Sequence, residues 1–188
     1  NHTNAERAKT LRTFRKIHRI SGILFFVFLL NIAVTGILLG WKKHSKGVIL
    51  PETYAGSSTD LKDWLPLDSL HKNAYTFLLD SVSPDLSLEL ERIDIRKDKG
   101  MVKFVFVDHY YGIQLDGASG KLLQIEKRRS DIIENIHDGS IFDHIFRTTG
   151  EPIKLVYTSI MGLALMTFSI TGFWMWYGPK RIKKTNKH

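Results

Sequence analysis

Two long apolar runs dominate the hydrophobic pattern of this chain. Residues 20–41, ISGILFFVFLLNIAVTGILLGW, carry no formal charge over 22 positions, and residues 155–177, LVYTSIMGLALMTFSITGFWMWY, carry none over 23. About 20 apolar residues in a helix cross the hydrocarbon core of a bilayer, and buried helices of soluble domains are seldom so long without a polar break. Trp41, Trp174, Trp176 and Tyr177 stand at the run ends, where amphipathic rings favour the membrane interface. Pro179 is expected to stop the second helix. A cleaved signal peptide fits the first run poorly, because the run exceeds an ordinary h-region and no small-residue cleavage site follows.

Between the runs the period changes. Pro66 suits a helix start, and Leu67, Leu70, Ala74, Phe77 and Leu78 then share one apolar face until Ser83-Pro84. Leu86, Leu88 and Leu90 alternate as a strand, with a phase change before Ile93 and Ile95 that predicts a bulge. Asp98-Lys99-Gly100 predicts a hairpin turn into residues 101–107, where Val102, Phe104 and Phe106 share a face. Residues 111–115 and 121–125 pair across Asp116-Gly117-Ala118-Ser119-Gly120. Residues 131–136 read as a short helix closed by Asp138-Gly139. Ile141, Phe142, Ile145 and Phe146 then form an amphipathic turn suited to the outer membrane surface.

The pattern therefore predicts seven stretches. They are a basic segment (1–19), a first transmembrane helix (20–41), a linker (42–64), a helix-on-sheet domain (65–127), interfacial helices (128–154), a second transmembrane helix (155–177) and a basic tail (178–188). The expected fold class is membrane α+β, with two antiparallel transmembrane helices flanking one extracytoplasmic domain in which a helix covers an antiparallel sheet.

Charge settles the expected orientation. The net charge is +8, yet the two ends (1–19 and 179–188) sum to +10 and everything between them to −2. The excess lies just outside the apolar runs, as topology signals do, so it points to lipid headgroups and not to nucleic acid. Eleven Lys/Arg on these ends face five near the other flanks (Lys42, Lys43, Lys46, Arg147, Lys154), which predicts that both termini are cytoplasmic. The absence of cysteine excludes disulfides, thiolate metal sites and cysteine nucleophiles.

On a helical wheel Gly22, Leu29, Ala33, Gly36 and Gly40 fall in one stripe of the first span, and Thr158, Gly162, Leu165, Ser169, Gly172 and Trp176 in one of the second. Small residues let membrane helices approach closely, so Gly22, Gly36, Gly40, Gly162, Ser169 and Gly172 are the expected packing positions. Antiparallel packing would set Gly36 and Gly40 beside Thr158 and Gly162, and Gly22 near Ser169 and Gly172. Asn31 and Thr35 lie opposite the first stripe, near mid-span. They read as a contact for another membrane protein or a second copy, the plainer alternative being that Thr35 bonds back to the Asn31 carbonyl.

Three stretches of this chain resemble the PepSY-associated transmembrane proteins of bacteria, in family order. They are Arg15-Lys16-Ile17-His18-Arg19-Ile20-Ser21-Gly22 with the span ending Thr35-Gly36-Ile37-Leu38-Leu39-Gly40-Trp41, the hairpin Gly112–Leu123, and Ile136-His137-Asp138-Gly139 with the helix ending Thr171-Gly172-Phe173-Trp174-Met175-Trp176. The resemblance implies a bacterial inner-membrane protein with a periplasmic PepSY domain. It implies two functions in different relatives: small PepSY domains bind or inhibit partner proteins, and larger relatives with more spans resemble haem-containing ferric-siderophore reductases. We read the chain first as a non-enzymatic, partner-binding accessory subunit of a larger membrane assembly. The alternative is a haem b-binding subunit or homodimer in transmembrane electron transfer towards ferric iron.

The alternative turns on histidine. Bis-imidazole ligation of haem needs two facing histidines, usually from different helices. His18 is at the inner end of the first span and no histidine falls in the second, so a second chain would have to supply the opposite ligand. On the outer side His137 fits best, because it lies in the family-like Ile-His-Asp-Gly, with His44 and His144 as weaker candidates. The plainer role for each is an interfacial, solvated or capping residue. No H-E-x-x-H, G-x-S-x-G or phosphate-binding glycine loop is present, and Asp108, Asp116 and Asp138 read as turn residues, so neither a catalytic site nor a metal site is expected.

Overall fold

The computed structural model describes the backbone of residues 2–185 and the side chains of residues 5–180; positions 186–188 of the expected tail lie outside the described residues. Among the described residues five α-helices and four strands follow in the order α1 (His2–Trp41), α2 (Leu67–Ser81), β1 (Leu90–Arg96), β2 (Met101–Phe106), β3 (Tyr111–Asp116), β4 (Leu122–Lys127), α3 (Arg129–Asp138), α4 (Ser140–Phe146) and α5 (Pro152–Thr185). The chain divides into a unit of residues 37–135 and a helical unit of residues 1–36 with 136–188.

In the first unit the strands form an antiparallel meander in the order β1-β2-β3-β4. Leu70, Ala74 and Leu78 of α2 close over Val102, Phe104, Phe106, Ile113 and Leu115, all essentially inaccessible. The period-2 and period-3.6 patterns thus meet in one core. The phase change is a bulge between Leu90 and Arg92. Leu86 and Leu88, expected in that strand, instead pack on the core ahead of the ladder, whose pairing begins where Val107 N–H bonds the Glu89 carbonyl at 2.9 Å.

The other face of the sheet is covered by the expected linker, which is no free tether. Gln114 is buried and exchanges bonds with it, donating to the Glu52 carbonyl at 3.0 Å and accepting from Tyr54 N–H at 3.3 Å. Gly56 N–H bonds the Lys99 carbonyl at 2.8 Å, and Ser57 N–H bonds Asp116 Oδ1 at 3.1 Å. A strip of polypeptide therefore takes the place of a second helix layer.

Among the described residues two helices are long and apolar enough to cross a membrane, spanning Ala5–His44 and Pro152–Lys180, and both are mostly exposed along their apolar stretches. They run antiparallel: Phe14 meets Trp174 at one end and Phe28 meets Tyr157 towards the other. Both helices outrun the expected spans. α1 continues back through the basic segment to His2, whose Ala, Leu, Lys and Arg residues are good helix formers. α5 runs through Pro179 to Thr185. Proline removes one N–H and crowds the carbonyl four residues back, but a long helix can continue beyond it. At the start of α5 the buried Asp143 accepts from the N–H groups of Ile153 (3.1 Å) and Lys154 (2.7 Å) and from the Thr148 hydroxyl, capping that helix from outside.

Candidate functional site

Two histidines of the helical unit are held in the same way. His18, four turns into α1, places Nδ1 2.8 Å from the hydroxyl of Thr171 on α5. Thr171 is 3% exposed, and its hydroxyl also donates to the Thr167 carbonyl one turn back, at 2.7 Å. Phe168 and the His18 ring pack T-shaped with centroids 4.9 Å apart. The next residue, Gly172, leaves the ring edge uncovered, since even an added Cβ would come only to 3.9 Å from His18 Cε1.

At the other level His137, in the last turn of α3, places Nδ1 2.8 Å from the hydroxyl of Thr35 on α1. Thr35 is 7% exposed and donates to the Asn31 carbonyl at 2.6 Å. Gly36 follows it, and a Cβ there would lie 3.5 Å from His137 Cε1. The Asn31 amide donates to the Ile136 carbonyl at 3.2 Å, so α1 grips the end of α3 twice. Asp138 pairs with Lys154 of α5 at 3.1 Å, and Gly139 packs on Tyr157, joining the same turn to α5. Burial raises the Asp138 pKa, but hydrogen bonds from Ser140 and the Lys154 ammonium outweigh it and hold the carboxyl below its ordinary value.

Each site therefore pairs an Ile-His dipeptide (17–18, 136–137) with a Thr-Gly dipeptide (35–36, 171–172). On α1 the two levels are 17 residues apart, about 25 Å in a helix. Among the described residues one imidazole is tethered at each level. For both rings Nε2 has no hydrogen-bond partner among the described residues, and the rings are only half-buried. No group of three or more His, Cys, Asp or Glu residues suited to a metal ion occurs among the described residues. His44 follows α1 in an exposed 3-10 turn and His144 lies exposed on α4.

The small-residue positions are used differently from the wheel. The face of α5 turned to α1 carries Tyr157, Met161, Ala164, Phe168 and Thr171, and Thr158, Gly162, Leu165, Ser169 and Trp176 are exposed. Among the described residues no atom lies within 4 Å of where a Cβ would stand on Gly40 or Gly162. Gly22 meets the Phe168 ring, and Ser169 bonds its own helix at the Leu165 carbonyl. Rings fill the space between the helices, which holds the backbones apart where close glycine contact was expected. Asn31 and Thr35 find their partners inside the chain, at Ile136 and His137. The sequence signal for Thr171 is the repeated Thr-Gly, at 35–36 and 171–172.

The class is defined by these features: a membrane protein of two apolar helices carrying a small helix-on-sheet domain. Residues 4–187 match the family described as PepSY-associated TM region, and the chain belongs to that family. No curated protein matches the sequence in a direct search.

Proposed function

We propose that this chain is a haem-bearing subunit that assembles with a second chain, most simply a copy of itself, to pass electrons across a bacterial inner membrane. The observation that carries this reading is the pair of helix-borne histidines at two levels, each tethered at Nδ1 and open at Nε2. Imidazole Nε2 is an ordinary ligand of haem iron, and the other ring nitrogen is ordinarily held by a hydrogen bond to a neighbouring protein oxygen. Those residues fit the group: His18 would hold it at one level and His137 at the other. When bound, haem supplies reversible one-electron chemistry. This chain's part would be to present each ring, with Phe168 packed against that of His18, while another chain supplies a further ligand.

The reading keeps the partner expected of an accessory subunit and gives that partner a chemical task. A cofactor-free docking subunit is the second reading, and the exposed small-residue face of α5 favours it, since two backbones can approach there. Purified in mild detergent from haem-sufficient cells, the chain is expected to show a Soret band and to run as a dimer or larger. His18→Ala and His137→Ala each should remove part of the absorbance, and together all of it. Colourless protein, a spectrum unchanged in the double variant, or a haem-loaded monomer would each sink the haem reading.

The Lys/Arg bias supports an orientation with both termini in the cytoplasm and the PepSY domain in the periplasm. A reporter fused after His188 should be active only in its cytoplasmic form. Activity of an export-dependent reporter at that position would reverse the orientation.

A further inference from the structure

We infer that Thr35 and Thr171 are positioning residues that fix the proton of each histidine on Nδ1 and so leave Nε2 as the bare, ligating nitrogen. The inference rests on the haem reading for its purpose but not for its geometry. A threonine hydroxyl has one proton to give. Thr171 gives it to the Thr167 carbonyl at 2.7 Å, and Thr35 gives it to the Asn31 carbonyl at 2.6 Å. Neither carbonyl has a proton to return. The hydroxyl oxygen can then only accept from the imidazole, 2.8 Å away in both cases. Nδ1 must carry the hydrogen, and in a neutral ring Nε2 cannot.

The surroundings sharpen the assignment. At 3% and 7% exposure, Thr171 and Thr35 are shielded from water that could relay protons between the nitrogens. The backbone bond also fixes the threonine rotamer, so the imidazole is tethered to a rigid atom and not to a swinging one. Gly172 and Gly36 complete the arrangement. Each stands beside Cε1, the carbon between the two nitrogens, where a larger side chain would crowd the approach to Nε2. Sequence order is reversed between the sites: α1 supplies the histidine at one level and the threonine at the other. The same device therefore occurs twice, each time from an Ile-His and a Thr-Gly dipeptide.

The test reads the proton directly. The full chain, labelled with 15N-histidine, is prepared in detergent from cells unable to make haem, and long-range 15N–1H correlations report which nitrogen of each ring is protonated. His18→Gln and His137→Gln each remove one set of peaks and so assign them. Both rings should show the Nδ1–H form. Thr171→Val should shift His18 alone towards the Nε2–H form, and Thr35→Val His137 alone, whereas the Thr→Ser variants keep the wild-type pattern. In haem-loaded protein the Val variants should retain haem about tenfold less tightly, with an altered midpoint potential, and the Ser variants should match wild type. Wild-type rings in the Nε2–H form, or Val variants without effect on the correlations, overturn the inference even if the protein is coloured. Colourless protein whose rings show the Nδ1–H form upholds the threonine role and removes the haem reading alone.

Discussion

Gly56→Ala is expected to cost the 37–135 unit about 3 kcal/mol or more, a large part of the stability of a small domain. An added Cβ at Gly56 would overlap the carbonyl oxygen of Gly100 and stand 2.7 Å from Asp116 Oδ1. Neither obstacle can yield cheaply. The Gly100 carbonyl is main chain at the end of a hairpin turn, and it accepts from Gly117 N–H at 2.9 Å; Gly100 itself has φ +67°, the left-handed region that favours glycine. Gly56 is in turn held by its own bond to Lys99. The strip over the sheet would have to lift, exposing the buried Gln114 and Glu126. Denaturant unfolding of the full chain in detergent, followed by near-UV circular dichroism, checks this against Gly162→Ala, a site with no atom of the described residues within 4 Å of the added Cβ. Equal midpoints for the two variants would refute the packing argument.

Acid should loosen the same corner. Asp116 is 5% exposed; burial alone raises its pKa, but hydrogen bonds from the Ser119 and Ser57 hydroxyls and from the Ser57 and Ala118 amides bring it down to about 2. In the unfolded chain the group titrates near the ordinary aspartate value of about 3.9. Since the folded pKa is the lower one, ionised Asp116 stabilises the fold above about pH 4, and that contribution fades as pH falls through the folded value of about 2. The difference is worth on the order of 2 kcal/mol near neutrality. Asp116→Asn is expected to lower stability by about that amount at pH 7 and to converge on wild type near pH 2. A stability gap that stays constant across this range would show that the carboxylate charge is not what the loop recognises.

Much of this architecture is legible in the residue pattern, because it depends on local period. Val102, Phe104 and Phe106 alternate and end in the core, Leu70, Ala74 and Leu78 repeat on one helical face, and both apolar runs become helices. The less legible parts depend on what fills a gap. A wheel ranks positions by size on the assumption that backbones meet, whereas here His18, Phe168, Phe28 and Tyr157 stand between the helices and turn α5 by about one residue, roughly 100°. The segment before α2 looks like a loop by composition and is one by conformation. Its place on the sheet is set by Gln114 and Asp116, polar residues whose burial no periodicity announces. Of the site, His18 and His137 were readable as ligand types, and Thr35 as a polar group needing a partner. Thr171 is harder to read, because a threonine in a membrane helix is usually satisfied by its own carbonyl, which is half of what it does here.

The two tethers also make the helix pair a ruler. His18 is bound to α5 and Thr35 to the turn that Asp138 ties to α5, so α1 cannot slide along its neighbour without breaking both ends at once. Helices of this kind meet a bilayer of the wrong thickness by tilting, kinking or slipping. With slippage removed, the pair would lean as one rod, and lipid chain length would set its angle while leaving the separation of the two imidazoles unchanged.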